Sequence, residues 1–260
     1  MRRAMHLLLV TVLCASGALG PTVALADSQP CAENTGLNPA CPLTAAGLII
    51  SDSELTDTAA EHDDTLVAQD AWGQRNQLGL QLPLHEHLAI AGVGDADGTG
   101  DADFSYNRVL TRSDEPFAQV VGAALIVPSG AVGFTSGYTE IAPLYTVSYA
   151  PLRWLQLLGE AQYTLGIGGT RIPSVPRAQT LRLSPRAIVD LWPHGAYASV
   201  AADVERVTGG YRYDAYDAGA VVGVVRHRYN LSASYRVPLD DFSRAHVFEH
   251  VFGLQLLWEH

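Results

Sequence analysis

The sequence predicts an all-β fold: a transmembrane antiparallel up-and-down β-barrel of about 12 strands, with 10 as the alternative count. Three observations predict it. Apolar and polar residues alternate with period two from about Thr65 onward. Several of the alternating runs last about 10–12 residues, against about five or six in soluble sheets. The connections between them alternate long and short, as in barrels with long outer loops and tight inner turns.

Composition narrows the class first. Of 260 residues, 48% are apolar and 17% charged, too greasy for a disordered chain. The 16 basic residues, all Arg, face 27 acids, giving a net charge of −11. Nucleic acid is excluded as a partner, because displacing counterions from phosphates needs clustered basic residues.

Residues 1–26 read as a signal peptide: Arg2 and Arg3 precede an apolar core over Leu7–Leu13, and Ala24-Leu25-Ala26 offers small residues at a cleavage site. Leu13 before Cys14 stands where a lipoprotein signal needs a small residue. Residues 27–64 read as an N-terminal periplasmic segment. Cys31 and Cys41, ten apart in an oxidising compartment, form a disulfide candidate or remain two thiols. Residues 65–260 are assigned to the barrel, and beyond the leader no run of about 18 apolar residues suggests a membrane helix.

The expected strands are 65–72, 75–83, 87–93, 101–111, 116–128, 137–150, 152–165, 178–191, 195–206, 214–226, 228–237 and 246–258. In 178–191, Leu181, Leu183, Pro185, Ala187, Val189 and Leu191 share one face, opposite Arg182, Ser184, Arg186 and Asp190. In 195–206, Ala198, Val200, Ala202 and Val204 oppose Ser199, Asp203 and Glu205. In 228–237, Tyr229, Leu231, Ala233, Tyr235 and Val237 oppose Asn230, Ser232, Ser234 and Arg236. Leu155–Leu165 repeats the pattern, with Gln156, Glu160 and Gln162 on its polar face. The expected long loops are 94–100, 129–136, 166–177, 207–213 and 238–245; short turns centre on 113–115, Pro151, 192–194 and His227. An even count places both ends on the periplasmic side, and many of the eleven Tyr fall near run ends, where a membrane-interface girdle lies.

The last strand, Val251–Trp258, resembles the C-terminal signature read by the barrel-assembly machinery, with Gly253, Leu256 and Trp258 in its positions. Val251 stands where that signature favours a polar residue, and Glu259-His260 extend past its final aromatic.

Three short motifs carry a wider likeness. Gly98-Thr99-Gly100-Asp101 precedes a strand, Val127-Pro128-Ser129-Gly130 closes one with Ser where the pattern has Thr, and Gly137 with Ile141-Ala142-Pro143 opens the next. With them, the stretch from about Trp72 to His260 resembles the outer-membrane barrel family associated with the meta-cleavage pathway of phenol degradation, whose members are described as transporters. The resemblance implies a barrel and passage of hydrophobic or aromatic solutes.

The polar faces would line the lumen, because an Arg facing lipid near the midplane costs about 2–4 kcal/mol. They supply the constriction candidates Asp103, Glu160, Arg182, Arg186, Asp190, Asp203, Glu205 and Arg236. As Arg–carboxylate pairs these either rigidify a narrow barrel or select solutes.

Other motifs have plainer readings. Asp95 to Asp103 mimics a calcium loop, but Tyr106 occupies the twelfth place, where an EF-hand needs Glu. His85-Glu86-His87 falls in an expected periplasmic turn; His246 and His250, four apart on a strand, lie roughly 13 Å from one another. No metal or cofactor is implied.

The expected function is passage or uptake of small molecules by a monomer in the outer membrane of a Gram-negative bacterium. Its partners would be outer-membrane lipid, lipopolysaccharide, the assembly machinery and small solutes. The alternatives are a structural barrel with a plugged lumen, and a lipid hydrolase using Ser136, Ser174 or Ser243 with His246, for which no Gly-x-Ser-x-Gly elbow is present.

Overall fold

A computed structural model describes residues 48–56, 59–72, 75–90, 94–111, 117–131, 134–152, 154–169, 178–191, 195–209, 212–226, 229–241, 244 and 250–259. Cys31, Cys41 and the leader lie outside them. Strand follows strand: β1 (Leu48–Thr56), β2 (Ala59–Trp72), β3 (Asn76–Ile90), β4 (Gly94–Gly98), β5 (Ala102–Val109), β6 (Phe117–Val127) and β7 (Tyr138–Leu152). Then come β8 (Leu155–Gly169), β9 (Ala178–Asp190), β10 (Ala196–Gly209), β11 (Tyr213–Arg226), β12 (Tyr229–Pro238) and β13 (Val251–Glu259).

All pairings are antiparallel, and the sheet closes on itself. Leu48 pairs with Glu259 and Thr56 with Val251, so β1 seals against β13, while β2 pairs β3 on its other side. Twelve strands make the closed barrel, and β4 is a short extra strand. It pairs the far half of β3, while β5 pairs the near half, so β4 and β5 form one stave broken at Thr99–Asp101.

The count expected from sequence stands, but its composition changes. The expected strands 75–83 and 87–93 are one strand, β3. Their apparent break is a bulge: Thr65 pairs Pro83 and Asp64 pairs His85, so Leu84 has no opposite number. An unpaired residue shifts the face parity by one, and a period-two reading then registers a turn. The boundary at residue 65 also moves, because β1 and the first six residues of β2 belong to the barrel wall. Residues 48–64 escape the pattern because their outer face carries Ser51, Ser53, His62 and Asp64 in place of apolar side chains. Loop 207–213 shrinks to 210–212 because β10 and β11 run on to Gly209 and from Tyr213. The three longest interstrand connections still share one rim, at 128–137, 170–177 and 239–250.

The outer face suits hydrocarbon. Val200 and Leu254 are each 60% exposed and Phe252 is 59% exposed, all on outward positions. Phe117, Tyr149, Trp154 and Tyr229 stand exposed by the short turns, while Tyr163, Tyr216 and Tyr235 stand higher up. These are the two aromatic levels that membrane interfaces favour. Strands of 14 or 15 residues, such as β7, β8 and β10, span about 46–50 Å along their length. Tilted by about 40°, they overreach a hydrocarbon layer about 30 Å thick.

Val200→Arg is expected to destabilise the barrel by about 2–4 kcal/mol in vesicles, read as the shift in a denaturant titration of folding. An unchanged midpoint would remove Val200 from the lipid-facing belt.

Candidate functional site

Register fixes which side chains share the interior. On β10, Tyr197, Ser199, Asp203, Glu205 and Val207 are buried around the exposed Val200, so its odd-numbered residues point in. Carried across the ladder, this parity turns Arg182, Arg186 and Asp190 of β9 inward, with Glu160 of β8, Asp217 of β11 and Arg236 of β12. On β5, Phe104, Tyr106 and Arg108 are exposed, which leaves Asp103 on the inner face with Ser105 and Asn107. All eight lumen candidates from the sequence therefore point inward.

They do not form one site. Arg182 donates through Nε at 3.0 Å and Nη2 at 2.9 Å to Asp203 Oδ1, which also accepts from the Ser184 hydroxyl. Tyr213 donates to Glu205 Oε1 at 3.4 Å, one residue pair up the wall. This cluster, with Glu160 in the Ser184 row and Arg186 one inward position away, spans β8–β11. Arg236 lies apart, with Nη2 at 2.5 and 2.7 Å from the two Glu54 oxygens. That reach passes over Gly253 of β13, whose register neighbours are Ser234 and Glu54. A Cβ on Gly253 would collide with the Ser234 hydroxyl, so the assembly-signature glycine also clears the inner wall. Leu256 faces outward and exposed, and Trp258 pairs through its backbone with Ile49 and Tyr229.

Seven inward acids escaped sequence reading: Asp52 and Glu54 on β1, Glu61 and Asp63 on β2, Glu86 on β3, Glu140 on β7 and Asp217 on β11. Asp52, Asp63 and Glu86 face one another in register across three adjacent strands. The available signal was acid spacing by two, at 52 and 54 and again at 61 and 63, which puts each pair on one face of a strand. With the five carboxylates among the candidates, twelve inward carboxylates confront three guanidiniums among the described residues.

The mouth above this wall is built by the motifs singled out in the sequence. Asp101 Oδ1 accepts the Gly130 N–H and its Oδ2 the Ser136 N–H, both at 2.9 Å. Ser129 Oγ accepts the Ala102 N–H at 2.9 Å, and the Thr99 carbonyl accepts the Ala131 N–H at 2.8 Å. Gly98 pairs with Glu86, so it faces inward, and a Cβ there would run into the Phe134 ring. The connection after β6 is thus folded over the lumen and tied to the broken stave. Gly137, at φ 71°, then makes the left-handed turn into β7 that a side chain would resist.

His85-Glu86-His87 is not in a turn, as expected from sequence; it lies in the far half of β3, where the bulge sends Glu86 inward and His87 outward. His87 Nδ1 sits 2.7 Å from Asp97 Oδ1 on the outer side. Asp95 and Asp97 belong to β4, and Asp101 is satisfied by backbone amides, so the calcium-like spacing is strand and turn. Among the described residues, no three His, Cys, Asp or Glu converge on a metal-sized point. Ser136 is used within its own loop; Ser174, Ser243 and His246 lie outside the described residues. His250 is described, with its ring 5.8 Å from that of Tyr235.

No protein-family model matches the chain, and no curated protein does. Solved structures do match in fold. An outer membrane channel from Pseudomonas putida F1 superposes with a TM-score of 0.64 at 10% identity, covering 85% of this chain and 98% of that one. The NanC porin gives 0.58 at 12% identity, covering 83% and 100%. The KdgM porin gives 0.54 at 10% identity, covering 82% and 99%. The same porin has also been solved in complex with disordered oligogalacturonate. At these identities the likeness is one of fold: a closed antiparallel barrel of the kind those outer-membrane proteins share.

Asp101→Ala removes both charge-assisted bonds that hold the 128–137 connection. Hydrogen exchange at the Gly130 and Ser136 amides is expected to speed up by at least about tenfold, the equivalent of roughly 1.4 kcal/mol. Unchanged exchange would mean that Phe134 and the Ser129–Ala102 and Ala131–Thr99 bonds anchor the connection without Asp101.

Proposed function

We propose that this protein is a channel in the outer membrane of a Gram-negative bacterium, passing small solutes by diffusion through a charged lumen. The observation that carries the reading is a closed twelve-strand wall whose inner face gathers most of the described strand carboxylates while its exposed outer face is mainly apolar. Such a partition encloses water. Asp52, Asp63, Glu86, Asp103 and Glu160 are only partly buried, so solvent reaches the acid rows. The fold shared with channels and porins supports the same reading.

Solutes would thread between the Arg182–Asp203 cluster on one wall and the acid row on the other. Fixed charges in a narrow, low-dielectric passage act strongly on ions and weakly on neutral molecules. An uncharged aromatic solute, the class implied by the sequence resemblance, would therefore pass with little electrostatic hindrance. An acidic saccharide would meet the carboxylates of β1–β3.

One observation favours a second reading. The 128–137 connection folds inward with Phe134 over Gly98, which narrows the mouth and would suit a plugged barrel with a structural role. Recording from refolded protein in planar bilayers separates the two, since a plugged barrel carries no current. The double variant Arg182→Gln with Arg186→Gln is expected to change the unit conductance of a channel. Identical currents in parent and variant would place the ion path away from β9.

A further inference from the structure

We infer that the passage prefers cations, so that its solutes are neutral or carry positive charge, as amines do. This rests on the channel reading and adds the sign of its charge. Among the described residues twelve carboxylates and three guanidiniums point inward, and the chain has no Lys. Two of the three guanidiniums are also committed. Arg182 is bonded to Asp203 and Arg236 to Glu54, while Arg186 stands in the row of Leu158 and Ala201, one inward position from the row of Glu160 and Asp203.

The acids are spread unevenly, and that is the second part of the argument. Among the described residues no Arg faces inward from β1 to β8, because Arg108 lies on the outer face of β5 with Phe104 and Tyr106. On that wall Asp52, Asp63 and Glu86 form a continuous row. The excess is thus concentrated on one side of the lumen rather than scattered as neutral pairs.

A third and independent observation concerns hydrogen bonding. One carboxylate oxygen each of Asp63, Asp103 and Asp217 is out of solvent reach and accepts nothing from the protein. These acceptors sit on three different strands and all face inward. Each of these residues is itself only partly buried, so the negative charge that its unpaired oxygen leaves uncompensated acts on the lumen and favours a mobile cation there. The Debye length is about 10 Å at 0.1 M salt, so the potential of such a wall reaches across a narrow barrel.

The test is the reversal potential of the refolded full chain in planar bilayers under a tenfold KCl gradient at pH 7. The expected permeability ratio of potassium over chloride is about five or more. The triple variant Asp52→Asn, Asp63→Asn, Glu86→Gln is expected to lower that ratio at least about twofold while conductance persists. The single variant Glu86→Gln serves if the triple fails to refold, with a smaller decrease expected. In vesicle-swelling assays, glucosamine is expected to enter faster than glucose, and glucose faster than glucuronate. A measurable current with a ratio at or below one would overturn cation preference and leave the channel standing. No current from any form would overturn the channel, and this inference with it.

Discussion

Everything in this structure depends on the hydrogen-bonded seam between β1 and β13. A sheet edge inside hydrocarbon leaves a row of unpaired N–H and C=O groups, each costing several kcal/mol, so a membrane sheet is viable only when closed. Here closure comes from nine successive register pairs, Leu48 with Glu259 through Thr56 with Val251. The first strand in the wall must therefore be held until the last has formed. Closure also decides the fate of every side chain. With no edge and no second layer, each residue has two choices, lipid or lumen, and chain parity makes the choice for whole strands at once.

The charged interior follows from that parity more than from any single contact. Asp203, on an odd position of β10, has no route to the outside without sending Ala202 and Val204 inward. Groups gathered in this way need partners, and the barrel supplies some of them across long sequence separations. Arg236 and Glu54 are 182 residues apart, and their contact crosses the strand that makes the seam. Gly253 makes that crossing possible by leaving the inner surface of β13 bare. The same residue thus serves an assembly signature and a lumen contact. Its small size, rather than any chemistry of its own, is what both uses require.

The fold class was legible in the sequence, because alternation sustained over ten or more residues arises in a strand with two unlike faces and in little else. Arg182, Asp203, Glu205 and Arg236 were also assigned to the correct face, since their strands carry clean apolar partners. Legibility failed where the outer face is polar. Ser51, Ser53, His62 and Asp64 turn outward from β1 and β2 near the rim, where contact with hydrocarbon is not required, and alternation vanished with them. A second failure was local. Pro83 and the bulged Leu84 interrupt parity within a continuous strand, and a single skipped residue is indistinguishable from a turn when pairing is unknown. Both failures fell on the same wall, which is why the acid row at Asp52, Asp63 and Glu86 went unread.

The motifs behind the family resemblance prove to be one mechanical unit. Gly98 makes room for the Phe134 ring, Gly100 lies against Glu86 and Pro83, and Asp101 gathers the amides of Gly130 and Ser136. Ser129 and the Thr99 carbonyl complete the lacing. Each motif carries little information in isolation, because glycine, serine and aspartate occur in turns everywhere. Together they solve a particular problem, which is to fold the connection after β6 inward over a polar lumen while the amides of Gly130, Ala131, Phe134 and Ser136 keep partners. A carboxylate can accept from two amides at once, so one aspartate at the break between β4 and β5 can hold a loop from two points. The break in the stave is then not a defect in the wall. It frees Asp101 from the strand ladder so that its side chain can organise the mouth, and it accounts for why a strand that could have run unbroken from residue 94 to residue 109 does not.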